Sequence, residues 1–133
     1  MPKKSRKKKK RGRYHRGTYS STKSGIQYNF RSGWEQKYMI HLDENPDVSS
    51  WTYEKLVIEY VSNQKTKKIR RYFPDFYVEF SDGSKKVIEI KQKRKLEQAI
   101  VKKKTTAAQA WCETFGATYV ILTEIELKNM GLI

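Results

Sequence analysis

Cysteine occurs once and histidine twice in 133 residues, and these scarcities remove several ways of building a small protein. A lone Cys112 leaves no disulfide framework and no CxxC zinc ribbon. Two histidines and one cysteine are too few ligands for a zinc finger or a ββα-metal nuclease. Cys112 itself reads as a small buried apolar group, and His15 and His41 carry no ligand pattern. Long apolar runs are missing too: no window approaches the roughly 18 to 20 residues that a membrane span needs, and no apolar segment follows the basic N-terminus as in a secretory signal. The expectation is a soluble, unexported chain with no membrane partner. There is no internal repeat, and the length suits one hydrophobic core.

Acidic residues are the other scarcity, 14 Asp plus Glu against 29 Lys plus Arg, for a formal charge of +15. None falls in the first sixteen residues, where Lys3, Lys4, Arg6, Lys7, Lys8, Lys9, Lys10, Arg11, Arg13 and Arg16 stand. A block this basic, without apolar periodicity, cannot bury a core and is expected to be a disordered arm. Its natural partner is a polyanion, nucleic acid above all, because each cation that meets a phosphate releases condensed counterions. No amphipathic helix or lipidation signal accompanies it to favour an anionic membrane. From Gly17 to Gln27 the composition turns to Gly, Ser, Thr and Tyr, which reads as a linker. Residues 1–29 are therefore read as arm and linker, and 30–133 as the folded domain.

Within that domain, Trp34, Tyr38, Met39 and Leu42 fall at helical spacing, and Asn45-Pro46-Asp47 stops the helix, which should run Gly33–Glu44. Strand-like segments follow at 55–62, 69–80 and 86–91, the last two joined by a hairpin turn at Ser81-Asp82-Gly83-Ser84. Leu96, Ile100, Ala107, Ala108, Trp111, Cys112 and Phe115 trace the apolar stripe of a long helix, with Gly116 placed as its left-handed cap. A strand at 117–123 and a capping box at Thr123 and Glu126 complete the chain. The order is α, three strands, α, strand, α. A helix between the last two strands implies a parallel crossover, so the α/β domain should hold a mixed sheet.

Chemistry concentrates in the strand meander. Pro74-Asp75 opens one strand, and Glu89-Ile90-Lys91 closes the next. Alternation along the second strand sends Ile88 and Ile90 to the core and holds Glu89 and Lys91 together on the opposite face. If the hairpin register brings Asp75 beside them, two carboxylates and an ammonium converge. Asp75, Glu89 and the Ile90 backbone carbonyl are hard oxygen donors suited to Mg²⁺, with Mn²⁺ as a substitute, and Lys91 could orient the water that attacks a phosphodiester. Taken alone, Ile-Glu-Ile-Lys is also what any half-exposed strand looks like. Arg70, Arg71 and Tyr72, just before the Pro-Asp, line either a DNA groove or an ordinary exposed strand edge.

Pro74-Asp75 followed by Glu89-Ile90-Lys91 resembles the motif of the PD-(D/E)XK nuclease superfamily. More of the chain agrees: Phe30-Arg31-Ser32-Gly33-Trp34-Glu35, Asn45-Pro46-Asp47-Val48 with Trp51, Arg71-Tyr72-Phe73 ahead of the Pro-Asp, and Ala110-Trp111-Cys112 leading to Tyr119-Val120-Ile121-Leu122-Thr123. The series is similar to TnsA-type transposon endonucleases and, more closely, to the head completion nucleases of tailed bacteriophages. The resemblance implies a restriction-endonuclease-like αβββαβ core and a metal-dependent DNA endonuclease acting in head completion. It further implies DNA and phage head, portal or neck proteins as partners, and a place in the host cytoplasm or on the virion. It adds Glu35 to Asp75, Glu89 and Lys91 as a catalytic and metal-site carboxylate. Ser32-Gly33-Trp34-Glu35 is equally a capping box, which accounts for Glu35 without chemistry. Such relatives usually carry a Pro soon after the motif lysine, whereas this chain continues Gln92-Lys93-Arg94-Lys95. Two other readings stand beside this one: a transposon-end nuclease, and a non-catalytic DNA-binding virion protein on the same fold.

Overall fold

The computed structural model describes residues 16–133, and the chain divides into two compact units, one ending at Glu44 and the other running from Asn45 to Ile133. The arm cations before Arg16 lie outside the described residues.

In the first unit, β1 (Gly17–Ser20) and β2 (Gln27–Phe30) pair as an antiparallel hairpin followed by α1 (Gly33–Glu44). The expected linker is thus ordered structure, and the reason is Asp43. Its carboxylate accepts from the Tyr19 hydroxyl at 2.6 Å, the Ser21 hydroxyl at 2.8 Å and the Thr22 N–H at 2.8 Å, tying the hairpin to the last turn of the helix. Burial and that carboxylate raise the Tyr19 pKa to about 12, so the phenol keeps its proton as a donor. Gly17 is required by packing, since a Cβ there would sit 2.7 Å from the Phe30 ring. The helix bounds agree with the expectation. His41 stacks on Tyr38 at 5.5 Å.

The second unit is built on a four-stranded sheet of β3 (Val48–Tyr53), β6 (Phe76–Phe80), β7 (Lys85–Ile90) and β8 (Thr118–Leu122), in the order β3-β6-β7-β8. The β3-β6 and β6-β7 pairs are antiparallel and β7-β8 is parallel, which is the expected mixed sheet. Between the last two strands lie a 3₁₀ turn at Lys93–Lys95 and α2 (Ala99–Phe115). Gly116 caps that helix at φ 73°, as its position implied. A separate hairpin, β4 (Ile58–Asn63) with β5 (Lys68–Tyr72), packs Ile58, Tyr60 and Tyr72 against Ala108 of α2. Cys112, on the same helix, is buried, and desolvation pushes its thiol pKa up.

Two expectations are corrected. The meander's first strand is β3 rather than 55–62, which becomes β4 in the separate hairpin. Period-2 reading misses β3 because a register shift between Val48 and Ser50 spaces its buried Val48 and Trp51 three apart. The single strand expected at 69–80 is two strands belonging to different sheets. Pro74 has no N–H to continue a ladder, and the chain changes sheets there. Among the described residues no helix is long and apolar enough to cross a membrane.

The last element, α3 (Glu124–Asn129), carries its full capping box: Thr123 Oγ1 accepts from the Ile125 N–H at 3.2 Å, and Glu126 accepts from the Thr123 N–H at 2.7 Å. Thr123→Ala should cost ~1 kcal/mol, read as a shift in the urea midpoint with unchanged slope. The Thr123 hydroxyl and N–H hold Glu126 below its usual pKa of 4.5. Its contribution is therefore complete above 4.5 and lost as pH falls through the lower folded value. The melting-temperature gap between the parental protein and Glu126→Gln should close on acidification.

Candidate active site

The sheet change at Pro74 sets the geometry. Pro74 is fully buried and Asp75 nearly so, at the point where β5 has ended and β6 is about to begin. Asp75 is fixed from three directions: its C=O accepts from the Glu54 N–H at 2.9 Å, its Oδ2 accepts from the Ile90 N–H at 2.8 Å, and its N–H donates to Glu89 Oε1 at 3.3 Å. The Glu89 carboxylate thus meets the Asp75 backbone and the Asp75 carboxylate meets the Ile90 backbone, with Asp75 at the end of β7 as the hairpin register requires. Phe76 pairs with Ile88.

Lys91 completes the cluster, its Nζ 3.7 Å from Glu89 Oε2, with side chains 29% and 13% exposed respectively. Val87 and Ile88 are both buried, so β7 is covered on both faces and Glu89 stands in a recess rather than on an open surface. Burial pushes the Glu89 carboxyl above its usual value, opposed first by the Tyr72 hydroxyl and then by the Lys91 charge.

Three residues here, Tyr119, Lys104 and Gln92, escaped the sequence reading, and a fourth, Tyr72, expected at a DNA groove or strand edge, is instead buried against Glu89. Tyr72 donates to Glu89 Oε1 at 2.7 Å and lies 2.8 Å from the Tyr119 hydroxyl. Burial raises both phenols well above their ordinary range, so both keep their protons at neutral pH. Because Tyr72 gives its proton to Glu89, Tyr119 is the donor in the second bond. Lys104, on α2, sits 5.4 Å above the Tyr72 ring. Gln92, just past the motif lysine, has a buried Oε1 without a hydrogen-bond partner, an acceptor for a ligand or water. The exit from the site is held by the Lys93 N–H donating to Glu124 at 2.9 Å.

Glu35 belongs to the first unit and sits in the first turn of α1, buried. Its N–H donates to Ser32 Oγ at 3.1 Å, and its Oε1 accepts from the Arg31 N–H at 2.7 Å. The cap is present, with one change from the expected box: the carboxylate reaches Arg31 rather than Ser32. Arg70 and Arg71 are exposed on β5, the Arg71 guanidinium 5.8 Å from the Phe73 ring. Lys7, Lys8, Lys9, Lys10, Arg11 and Arg13 lie outside the described residues.

Among the described residues no cluster of three or more His, Cys, Asp and Glu side chains forms a ready metal cage. A buried carboxylate, Asp75, and a partly buried one, Glu89, whose pKa desolvation raises, are nonetheless the hard-oxygen donors that a small divalent cation requires. The donor set fits.

A family model described as TnsA-like endonuclease N terminal matches residues 45–124. The chain is also similar to the head completion nuclease of Enterobacteria phage T4, 34% identical over 124 residues that cover 77% of this chain and 82% of that protein.

Proposed function

Because the chain belongs to the TnsA-like endonuclease family, we propose that it is a Mg²⁺-dependent DNA endonuclease that serves phage head completion. The observation that carries the reading is the joining of Asp75 to Glu89 and Ile90 at 3.3 and 2.8 Å, with Lys91 beside them. Asp75, Glu89 and the Ile90 carbonyl would hold Mg²⁺ or Mn²⁺, with Glu35 a further candidate carboxylate. A divalent cation so held polarises the scissile phosphate and lowers the pKa of water.

The protein's own groups do the rest. Lys91 orients the attacking water and offsets the negative charge that builds on the phosphate. Tyr72, itself held by Tyr119, fixes the direction of the Glu89 carboxylate, the kind of outer support that sets ligand geometry. Lys104 adds positive charge at the mouth of the site. Head, portal or neck proteins are the partners this role implies, in the infected cell's cytoplasm or on the virion. The intact Asp, Glu and Lys weigh against a non-catalytic virion protein.

The test is incubation with supercoiled and linear DNA, with Mg²⁺, with Mn²⁺ and with chelator. Cleavage only with a divalent cation supports the proposal. Absence of cleavage under all three conditions sinks it.

The arm is assigned to phosphate neutralisation. If about half of its ten cations meet duplex phosphates, deleting residues 1–16 should flatten the slope of log affinity against log salt by roughly 4 to 5. An unchanged slope would assign the arm to a protein partner instead.

A further inference from the structure

Beside the carboxylates, β5 and the first turns of α2 enclose an open groove of about 740 Å³, whose lining includes Lys68, Arg70, Arg71, Phe73, Ile100 and Lys104. Four of these are cations, and among the described residues no acidic one lines the groove. Tyr60 in its lining is buried, but three apolar members are unusually bare: Ile69 is 53% exposed, Ile100 42% and Phe73 40%. Among the described residues β5 has β4 on one side and no strand on the other. A surface that only had to attract a duplex would need the cations and not the apolar groups. Duplex DNA presents phosphates outward and keeps its base faces stacked inside. An unpaired strand presents both phosphates and bare base faces, and aromatic platforms among cations are how proteins hold one.

We propose that this groove binds a single-stranded segment of the substrate, with a base stacked on Phe73 and flanking phosphates on Arg71, Arg70, Lys68 and Lys104. The inference rests on the nuclease reading above and deepens it by naming the substrate form: DNA with unpaired nucleotides next to the cut. Placement supports this. Phe73 is two residues before Asp75, and its chain neighbour Tyr72 donates to Glu89 at 2.7 Å. Lys104, which lines the groove, stands 5.4 Å over that same Tyr72 ring, so the groove is linked to the carboxylate cluster through the residue that donates to Glu89. Arg71, 5.8 Å from the Phe73 ring, is placed to pair with the phosphate of a nucleotide stacked there.

The experiment uses the full chain in chelator, with a fluorescein-labelled oligothymidylate and a blunt hairpin duplex as probes. Phe73→Ala should weaken oligothymidylate binding about tenfold and leave the duplex within about twofold. Phe73→Trp should restore binding, and its emission in excess of the parental protein's should be quenched by the oligothymidylate. Equal effects of Phe73→Ala on both probes, or unquenched emission from Phe73→Trp, overturn the proposal. So does a loss of self-association in Phe73→Ala with oligonucleotide affinity unchanged, which would assign the groove to a second copy of the chain. Plasmid cleavage by the parental protein with Mg²⁺ or Mn²⁺ is scored separately. A protein that cuts DNA yet fails the binding arms refutes the groove and not the nuclease. One that passes them without cutting refutes the nuclease and not the groove.

Discussion

Asp75→Asn and Lys91→Ala are each expected to lower plasmid nicking by ~10²–10³-fold, while the cooperative melt stays close to the parental one. The choice of asparagine follows from the geometry. Asp75 Oδ2 accepts the Ile90 N–H at 2.8 Å, so this carboxylate is also part of the sheet. Asp75→Ala would leave a buried N–H unsatisfied and cost roughly 1–3 kcal/mol in stability, confusing loss of chemistry with loss of fold. Asparagine keeps an oxygen acceptor and removes the charge. Lys91, whose one close side-chain partner among the described residues is Glu89 Oε2 at 3.7 Å, can be truncated without stranding a hydrogen bond there. Its removal should leave gel-shift affinity for duplex within a few-fold, since Lys91 is one of 29 cations and residues 1–16 alone hold ten of them with no acidic residue. Parental nicking rates in either variant would remove that residue from the site.

The second large effect separates two roles for Glu35. Its Oε1 accepts the Arg31 N–H at 2.7 Å while its own N–H donates to Ser32. Glutamine can accept the same bond, so Glu35→Gln should change stability by well under ~1 kcal/mol. If the carboxylate also serves the cation, losing its charge should cut nicking by about a hundredfold, with partial recovery at raised Mn²⁺. Glu35→Ala loses the cap as well and should melt lower. Parental nicking by Glu35→Gln, together with a lower melting temperature for Glu35→Ala, would leave Glu35 as a helix cap and confine the chemistry to Asp75, Glu89 and Lys91.

Much of this was readable where local rules act alone. The 3.6-residue spacing of Trp34, Tyr38, Met39 and Leu42 fixed α1 to the residue, and Gly116 and Thr123 marked a helix end and a helix start through backbone preferences that need no distant partner. The hairpin turn at 81–84 supplied the register that brings Asp75 to Glu89. What could not be read depends on partners far along the chain. The 17–27 segment looks like a linker because its order comes from Asp43, more than twenty residues away. Tyr119 reaches the site only through the parallel pairing of β8 with β7, which sets it beside Val87. Tyr72 looks like one more β-former until Pro74 turns the chain and brings its hydroxyl to Glu89. The meander failed at β3, where a bulge breaks the alternation on which strand reading relies.

Cys112 has a practical consequence. The only thiol in the chain is buried in α2 with its pKa pushed up, so it should react slowly with maleimides under native conditions. Ser84→Cys, at an exposed turn, would then be the one fast-labelling position without Cys112 having to be replaced. A single dye could be attached there, and the approach of labelled DNA followed in real time by energy transfer.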